Sequence, residues 1–269
     1  MDKPHNDRPH NNRPPRSAFA ERERMDGGTD TEYVEGRNAV YEALRSGRPV
    51  DKLLLATGAK NMGHILSAAR TAGVPIQECD RRKLDAVSRG GTHQGIIALC
   101  AAAEYHDLED LLSLAAQRNE KPLLVLCDGI TDPHNLGAII RSAEVLGAHG
   151  VVVPRHRSAG LNAACAKAAA GALEHIPVAK CANLSDAANR LKKAGVFVFA
   201  ADMGGTPAEK LDLTLPCALI IGAEGVGVSQ SMRQAADFVI SIPQKGKINS
   251  LNASNAAAVL LYEALRQRG

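Results

Sequence analysis

The sequence has little aromatic character, since its 269 residues include no tryptophan, four phenylalanines and four tyrosines. Proteins that bind single-stranded nucleic acid by stacking its bases need several aromatic side chains on one face. A stacking platform is therefore not expected. The net charge of +3 is only mildly basic, so the composition allows an RNA-binding face without demanding one. Such a face would rest on arginine, lysine and backbone groups.

Paired cysteines are also lacking. The six cysteines are scattered without a C-x-x-C pair, and several lie within apolar runs, where a free cysteine behaves as a small hydrophobic residue. The sequence therefore indicates neither a disulfide framework nor a zinc site.

Long apolar segments are missing as well. A membrane-spanning helix needs about 18 or more consecutive apolar residues, and the sequence has no such run. The first thirty residues lack the apolar centre of a secretory signal. We therefore expect a cytoplasmic protein.

What is present divides the chain into four segments. Residues 1–30 are rich in Pro, Asn, His and Arg and are predicted to be a disordered tail, because they cannot bury enough apolar surface. The tail is interpreted as a solvated extension, with contact to RNA through its arginines as the alternative. Residues 31–101 are predicted to form a small α/β domain, and residues 102–120 a charged, partly helical linker. Residues 121–269 are predicted to form a second, larger domain.

Both predicted domains follow from apolar patterning. In the first, strands are expected at 52–56, from 74 and at 95–100, with a short helix from residue 33 and another at 64–72. In the second, the short apolar runs are 123–127, 151–153, 196–200, 218–221 and 238–242. Continuous apolar runs separated by helical patterns favour a parallel sheet that is covered on both faces. An Ala/Leu-rich helix is predicted for 251–268.

Three loops that follow predicted strands carry the polar residues of the second domain. Ligands of open α/β sheets bind just beyond the carboxyl ends of the strands, which makes these loops the place to look for a site. The first loop, residues 128–137, contains Asn135 and leads into a predicted helix at 138–144 that contains Arg141. Asn135 is predicted to cap this helix. A plain cap and a surface arginine are the simplest alternative for the pair.

The second and third loops are rich in small residues. Gly222, Gly225 and Gly227 allow a ligand to approach the backbone closely. Their G-x-x-G-x-G spacing differs from the dinucleotide fingerprint, so a nicotinamide or flavin site is not supported, and a structural turn is the alternative. In the third loop, Ser250 or Asn252 is predicted to cap the last helix.

Together, the three loops carry a specific resemblance. The order Asn-x5-Arg, Ile-Gly-Ala-Glu-Gly and Ile-Pro…Ser-Leu-Asn-x-Ser resembles the SpoU-type (TrmH-like) RNA ribose methyltransferases of the SPOUT class. The segments Y-V-E-G-R-N-A-V at 33–40 and T-H-Q-G-I at 92–96 resemble the RNA-binding domain of the RlmB-type 23S rRNA guanosine 2′-O-methyltransferases.

The resemblance implies an architecture and a cofactor. The fold should be α/β, with a trefoil-knotted parallel-sheet (SPOUT) methyltransferase domain at the C-terminus and a small α/β RNA-binding domain before it. The cofactor should be S-adenosylmethionine, contacted largely through backbone at Gly222, Ile242 and Leu251. The active unit should be a homodimer in which both subunits shape each site.

The resemblance also implies the site residues, which are Arg141, Asn135, Glu224, Ser250 and Asn252. Arg141 is expected to have the central role, either as the base or as a cation that holds phosphate and stabilises the developing alkoxide. Physical chemistry favours the second role, because a guanidinium stays protonated in proteins. Glu224 is expected to orient Arg141 or the ribose, and Asn135 to shape its loop. Ser250 and Asn252 are expected at the junction of substrate and cofactor.

The implied reaction is methylation of a guanosine ribose 2′-hydroxyl in large-subunit (23S) ribosomal RNA, free or in an assembling particle. Two alternatives remain open from the sequence. One keeps the chemistry and changes the substrate to tRNA, against which the first domain argues. The other is a non-catalytic rRNA-binding assembly protein, against which the intact set of polar motif residues argues.

Overall fold

The computed structural model describes residues 33–88, 92–247 and 250–269. The predicted tail lies outside these residues. The N-terminal domain is built on a mixed sheet of order β1-β4-β2-β3 in the described part of the chain. Its elements are β1 (Tyr33–Glu35), α1 (Arg37–Arg45), β2 (Val50–Ala56), α2 (Gly63–Thr71), β3 (Ile76–Cys79), α3 (Arg81–Val87) and β4 (Ile96–Cys100).

The predicted α/β character of this domain is confirmed, but the start of its first helix was wrong. Residues 33–35 pair antiparallel with β4, with Tyr33 opposite Leu99. The edge of β4 offers unpaired backbone groups that a strand satisfies. Gly36, with φ of 88°, then turns the chain into α1. Such a positive φ suits glycine, which has no Cβ.

The C-terminal domain contains a fully parallel sheet of order β10-β8-β9-β5-β6-β7 in the ranges described. A connecting helix, α4 (Leu108–Gln117), precedes it. Its strands are β5 (Leu123–Asp128), β6 (Gly150–Pro154), β7 (Val178–Cys181), β8 (Phe197–Pro207), β9 (Cys217–Gly222) and β10 (Phe238–Ser241). Its helices are α5 (Pro133–Val145), α6 (Ala163–Ala169), α7 (Leu184–Lys193), α8 (Gln230–Ala235) and α9 (Ala253–Arg268).

The parallel sheet is confirmed, and the burial of its strands explains it. β5 lies at the centre, where Leu126 pairs with Ile220 of β9 and with Val152 of β6. Two hydrophobic clusters cover the two faces of the sheet. Strands buried on both faces need apolar side chains at successive positions, which is the pattern seen in the sequence.

The prediction missed β7. This edge strand has the sequence V-A-K-C, which is short and interrupted by Lys180, so it produces no continuous apolar run. The final helix is confirmed, although it begins at Ala253. Strand order does not describe how the last segment is threaded, so the knot stays a prediction. In the ranges described, none of the helices has the length and apolar character needed to cross a bilayer.

Candidate active site

A cavity opens at the carboxyl edge of the parallel sheet, where the middle of β8 and the loops after β9 and β10 meet the start of α9. All three predicted cofactor contacts line it. The lining residues are Ala201, Asp202, Met203, Ile221, Gly222, Ala223, Glu224, Gly225, Val226, Gly227, Ile240, Ile242, Gln244, Ser250, Leu251, Ala253, Ala256 and Leu260. Asp202 and Met203, in the middle of β8, were not singled out from the sequence, since the predicted strand stops at residue 200 and no motif follows it.

Gly222, at the end of β9, allows the backbone of the following loop to pack closely against it. A Cβ on Gly222 would lie 2.1 Å from the carbonyl carbon of Gly227, so a larger residue has no room there. The amide of Gly227 donates to the carbonyl of Ala223 at 2.8 Å and closes the turn. Gly225 and Gly227 have φ of 77° and 72°, which glycine adopts without strain. The loop therefore presents Glu224 at the mouth of the cavity.

Three polar side chains from the three predicted loops meet there. The amide nitrogen of Asn135 donates to Oε1 of Glu224 at 3.0 Å. The amide nitrogen of Asn252 donates to Oδ1 of Asn135 at 3.0 Å and also contacts Oε1 of Glu224. Glu224 thus accepts hydrogen bonds from two neutral amides. Within the described part of the chain, no Lys, Arg or His forms an ion pair with it.

Asn252 joins this cluster to the last helix. Its Oδ1 accepts from the amides of Ser254 at 2.9 Å and Asn255 at 3.4 Å, which makes it the N-cap of α9, as predicted. Its amide nitrogen remains free to hold Asn135 and Glu224. A single side chain therefore fixes both the start of the helix and the orientation of the site carboxylate.

Asn135 does not cap its helix, which corrects the prediction. Asp132 is the N-cap of α5, with its carboxylate accepting from the amide of His134 at 2.9 Å. Pro133 occupies the first helical position, a place where proline is favoured. Asn135 therefore lies within the first turn, and its side chain is free to enter the site.

A further hydrogen bond, between Asp128 and Ser229, anchors the glycine loop to the sheet. The carboxylate of Asp128, at the end of β5, accepts from the amide of Ser229 at 2.7 Å. Asp128 also lies opposite Gly222 in the sheet register. This bond ties the end of the central strand to the chain that leaves the glycine loop. Asp128 was not assigned a role from the sequence, although it directly follows an apolar run.

Arg141 lies elsewhere on α5. It is exposed and is separated from Asn135 by six residues, which is about 120° around a helix. In the structure of the described chain it makes no hydrogen bond with Asn135, Glu224 or Asn252. The expectation that Glu224 orients Arg141 is therefore not met within one chain.

The cavity combines an apolar wall with two carboxylates at its mouth. Ile240, Ile242 and Leu260 provide the wall, and the small side chains of Ala253 and Ala256 leave room beside α9. An apolar wall with a few polar groups is typical of small-molecule sites, and an unpaired carboxylate suits a ligand that carries a positive charge. Of the two carboxylates, Asp202 is paired with Arg233 at 2.7 Å and Glu224 has no such partner in the described residues.

Other reactive side chains have structural surroundings. The described residues contain no cluster of His, Cys, Asp or Glu that could hold a metal ion. Burial raises the pKa of the Cys165 thiol to about 12 and that of the Cys217 thiol to about 11, so neither is a thiolate at neutral pH. His93 is buried, accepts from the amide of Gly95 and contacts Asp85, which is a structural role.

Comparison with known proteins gives the site a context. A model of the SpoU rRNA methylase family matches residues 122–262, and a model of the substrate-binding domain of RNA 2′-O ribose methyltransferases matches residues 33–106. The chain is similar to YacO of Bacillus subtilis, which is described as a TrmH family tRNA/rRNA methyltransferase. The two are 42% identical over 240 residues, which cover 88% of this chain and 96% of YacO.

Two solved structures show the same overall fold. The SpoU methyltransferase AviRb of Streptomyces viridochromogenes, in complex with AdoMet, is 28% identical with a TM-score of 0.55, over 94% of this chain and 98% of AviRb. An AdoMet-bound rRNA methyltransferase from Sinorhizobium meliloti is 25% identical with a TM-score of 0.54, over 87% of this chain and 86% of the other.

Proposed function

Because this chain belongs to the SpoU (TrmH) family of RNA 2′-O-ribose methyltransferases, we propose that it methylates the ribose 2′-hydroxyl of a guanosine in 23S rRNA with S-adenosylmethionine as methyl donor. The observation that carries the proposal is the meeting of Asn135, Glu224 and Asn252 at the mouth of the cavity. The 23S rRNA guanosine rests on the resemblance of residues 33–40 and 92–96 to rRNA-specific enzymes. We also propose a cytoplasmic location.

The cavity suits S-adenosylmethionine. Ile242 and Leu251, together with the backbone of Gly222, would hold the adenosine, and the Glu224 carboxylate would face the sulfonium charge. When bound, this cofactor supplies an electrophilic methyl group. Ser250 lines the same wall and would lie where the cofactor meets the ribose.

The ribose 2′-hydroxyl is a weak nucleophile that must attack in line, and as its oxygen takes the methyl group its proton must pass to water. Holding the two reactants in position supplies several kcal/mol of the barrier reduction. The amides of Asn135 and Asn252 fix Glu224, so the carboxylate can orient the ribose hydroxyl without rearrangement. Arg141, as a permanent cation, would hold an RNA phosphate bidentately and stabilise the alkoxide as it develops.

The position of Arg141 supports the homodimer. It lies on an exposed stripe of α5 with Val145, which is 67% exposed. α5 packs on α9, whose outer face carries Val259 and Tyr262, exposed by 43% and 58%. Apolar side chains on two adjacent helices are typical of a covered surface. We place the dimer interface on this face, where Arg141 would enter the site of the partner subunit.

The first test is methyl transfer from labelled S-adenosylmethionine to large-subunit rRNA that lacks its native modifications, with tRNA in a parallel reaction. The wild-type protein should modify one ribose 2′-oxygen of the rRNA, and Arg141→Ala should lose this activity while it still binds the cofactor. Transfer to tRNA alone would contradict the rRNA assignment. Absence of both transfer and cofactor binding would contradict the enzyme assignment.

Mixing two inactive variants tests the shared site. Arg141→Ala and Glu224→Gln would each lose nearly all activity alone. If each site takes Arg141 from one subunit and Glu224 from the other, the mixed dimer contains one site with both native residues, and activity returns after subunit exchange. If both residues act within one subunit, the mixture stays inactive.

A further inference from the structure

A second polar cluster lies between the two domains and contains none of the active-site residues. Asp51, from β2 of the N-terminal domain, accepts a hydrogen bond from the hydroxyl of Tyr105 in the connecting segment. Lys180, from β7 of the C-terminal domain, places Nζ 3.4 Å from Oδ1 and 3.5 Å from the carbonyl oxygen of Asp51. The same ammonium lies 4.1 Å from the centroid of the Tyr105 ring, a cation–π contact.

The cluster is buried and well bonded. The side chains of Lys180 and Asp51 are only 15% and 7% exposed. Tyr105 donates to Asp51 and accepts from the amide of Leu161 at 2.9 Å. Burial raises the pKa of Tyr105 and lowers that of Lys180, while Asp51 opposes the change at Lys180. Burial of each of these polar groups would therefore be costly without the other two, because the surroundings have a low dielectric constant.

The surrounding backbone packs closely on the cluster. A Cβ on Gly160 would lie 2.3 Å from Cγ of Asp51, so the loop after β6 packs directly on this carboxylate. The connecting segment is held on the same side, because His106 donates its amide to Val178 at 2.9 Å and forms a parallel bridge with Ala179. A second contact joins Gly73 to Arg155, where a Cβ would lie 2.6 Å from a guanidinium nitrogen.

We propose that Asp51, Tyr105 and Lys180 are positioning residues that hold the N-terminal domain at one fixed orientation, so that bound RNA is presented to the methyl-transfer site. They contribute one residue each from the first domain, the connecting segment and the second domain. Flexible surface contacts would leave a hinge, whereas a buried ion pair that shares a hydroxyl donor allows one arrangement. This inference rests on the proposed function.

Two variants of the full chain disturb the contact in different ways. Gly160→Ala keeps every polar group and pushes a methyl group into Asp51. Lys180→Met keeps the packing and removes the charge. Gly63→Ala is the matched control for the first variant, because nothing lies within 4 Å of a Cβ at that position. Lys193→Met is the control for the second, because Lys193 is exposed on α7.

Small-angle X-ray scattering and steady-state methylation of the RNA are measured on all variants. Gly160→Ala and Lys180→Met should broaden the distribution of interatomic distances and raise KM for RNA about tenfold. Their kcat at saturating RNA and their cofactor Kd should match those of the wild type, since the catalytic groups are unchanged. A merely structural loss would lower the active fraction, and hence kcat, with KM constant.

The two readouts separate this proposal from the function itself. Unchanged scattering in both variants overturns it, as does broadened scattering with an unchanged KM. If the wild type methylates no RNA, the proposed function fails and with it the presentation of RNA, whereas the scattering comparison still decides whether the cluster fixes the domains.

Discussion

Two carboxylates of this protein are each held by two polar side chains, but their electrostatic surroundings are opposite. Asp51, between the domains, is buried beside the ammonium of Lys180 and the hydroxyl of Tyr105. Glu224, at the cavity, is exposed and held by the neutral amides of Asn135 and Asn252. The first carboxylate has its counter-charge within the fold. The second is oriented by two hydrogen bonds, but in the described chain its charge has no cationic partner.

The difference in charge compensation distinguishes a structural carboxylate, Asp51, from a functional one, Glu224. A buried charge without a partner costs several kcal/mol, so Lys180 stabilises the native state in which Asp51 is buried. An exposed carboxylate that is fixed by amides retains its charge for a ligand, which suits a site that receives a cationic cofactor. Loss of a charge in the Asp51–Lys180 pair should therefore change stability, and loss of the Glu224 charge should change catalysis.

The largest expected effect comes from breaking the interdomain pair. Lys180→Met leaves Asp51 buried without its counter-charge, and we expect the free energy of unfolding to fall by about 3 kcal/mol. Urea denaturation measures this change. The double variant Asp51→Asn/Lys180→Met removes both charges and should recover part of the loss. Equal stability of Lys180→Met and the exposed control Lys193→Met would contradict the role assigned to this pair.

The next effect concerns the active site. Glu224→Gln keeps the oxygen that accepts from both amides and removes the charge, so kcat should fall about 100-fold with stability unchanged. The measurement is methyl transfer at saturating RNA beside chemical denaturation. Asp202→Asn is the control in the same cavity, because Arg233 already compensates that charge. A similar loss in the two variants would show that any carboxylate at the cavity mouth matters equally.

The sequence predicted the sheet better than the contacts between its loops. β5 and β9 follow from apolar runs, whereas β7, which carries Lys180, has a pattern too short and too polar to detect. The choice of Asn135 as helix cap overlooked Pro133, since proline at the first helical position points to Asp132 as the cap. Local hydrophobic periodicity identifies strands and helices. The two errors concern an edge strand and the first turn of a helix, where this periodicity is weak.

Both polar clusters depend on contacts that local patterns do not encode. Asn135 and Glu224 are 89 residues apart in sequence, and only the family resemblance placed them in one site. Asp51 and Lys180 are 129 residues apart, and no motif marks either. Side chains that meet across a domain boundary leave no periodic signal, which is why the interdomain cluster was found only in the structure.

A smaller effect distinguishes the two functions of Asn252. Asn252→Ala removes the N-cap of α9 and should cost about 1 kcal/mol of stability. Asn183 caps α7 in the same way, accepting from the amide of Ser185 at 2.8 Å, and it lies outside the cavity. Asn183→Ala should therefore cost a similar amount in denaturation. Only Asn252→Ala should also lower kcat, because it releases Glu224; equal kcat in the two variants would contradict this.

The smallest effect is the pH dependence of another buried polar group, His149. His149 accepts from the amide of Leu123 at 3.0 Å and lies 2.9 Å from Glu120, and burial lowers its pKa despite the carboxylate. Above the ordinary histidine pKa of roughly 6.5, both the folded and the unfolded chain hold it neutral, and its contribution to stability is complete. As the pH falls below that value, the unfolded chain binds a proton first, so the free energy of unfolding decreases until the folded pKa is reached.

His149→Gln should therefore flatten this part of the curve of stability against pH, measured by denaturation between neutral and mildly acidic pH. His156→Gln, at an exposed position, is the control and should leave the slope unchanged. If the free energy of unfolding falls with pH as steeply in the His149→Gln variant as in the wild type, the acid sensitivity belongs to other groups. Because His149 carries no charge in the folded state at neutral pH, it resembles neither Asp51 nor Glu224: it shows that the fold also tolerates a buried titratable group by keeping it neutral.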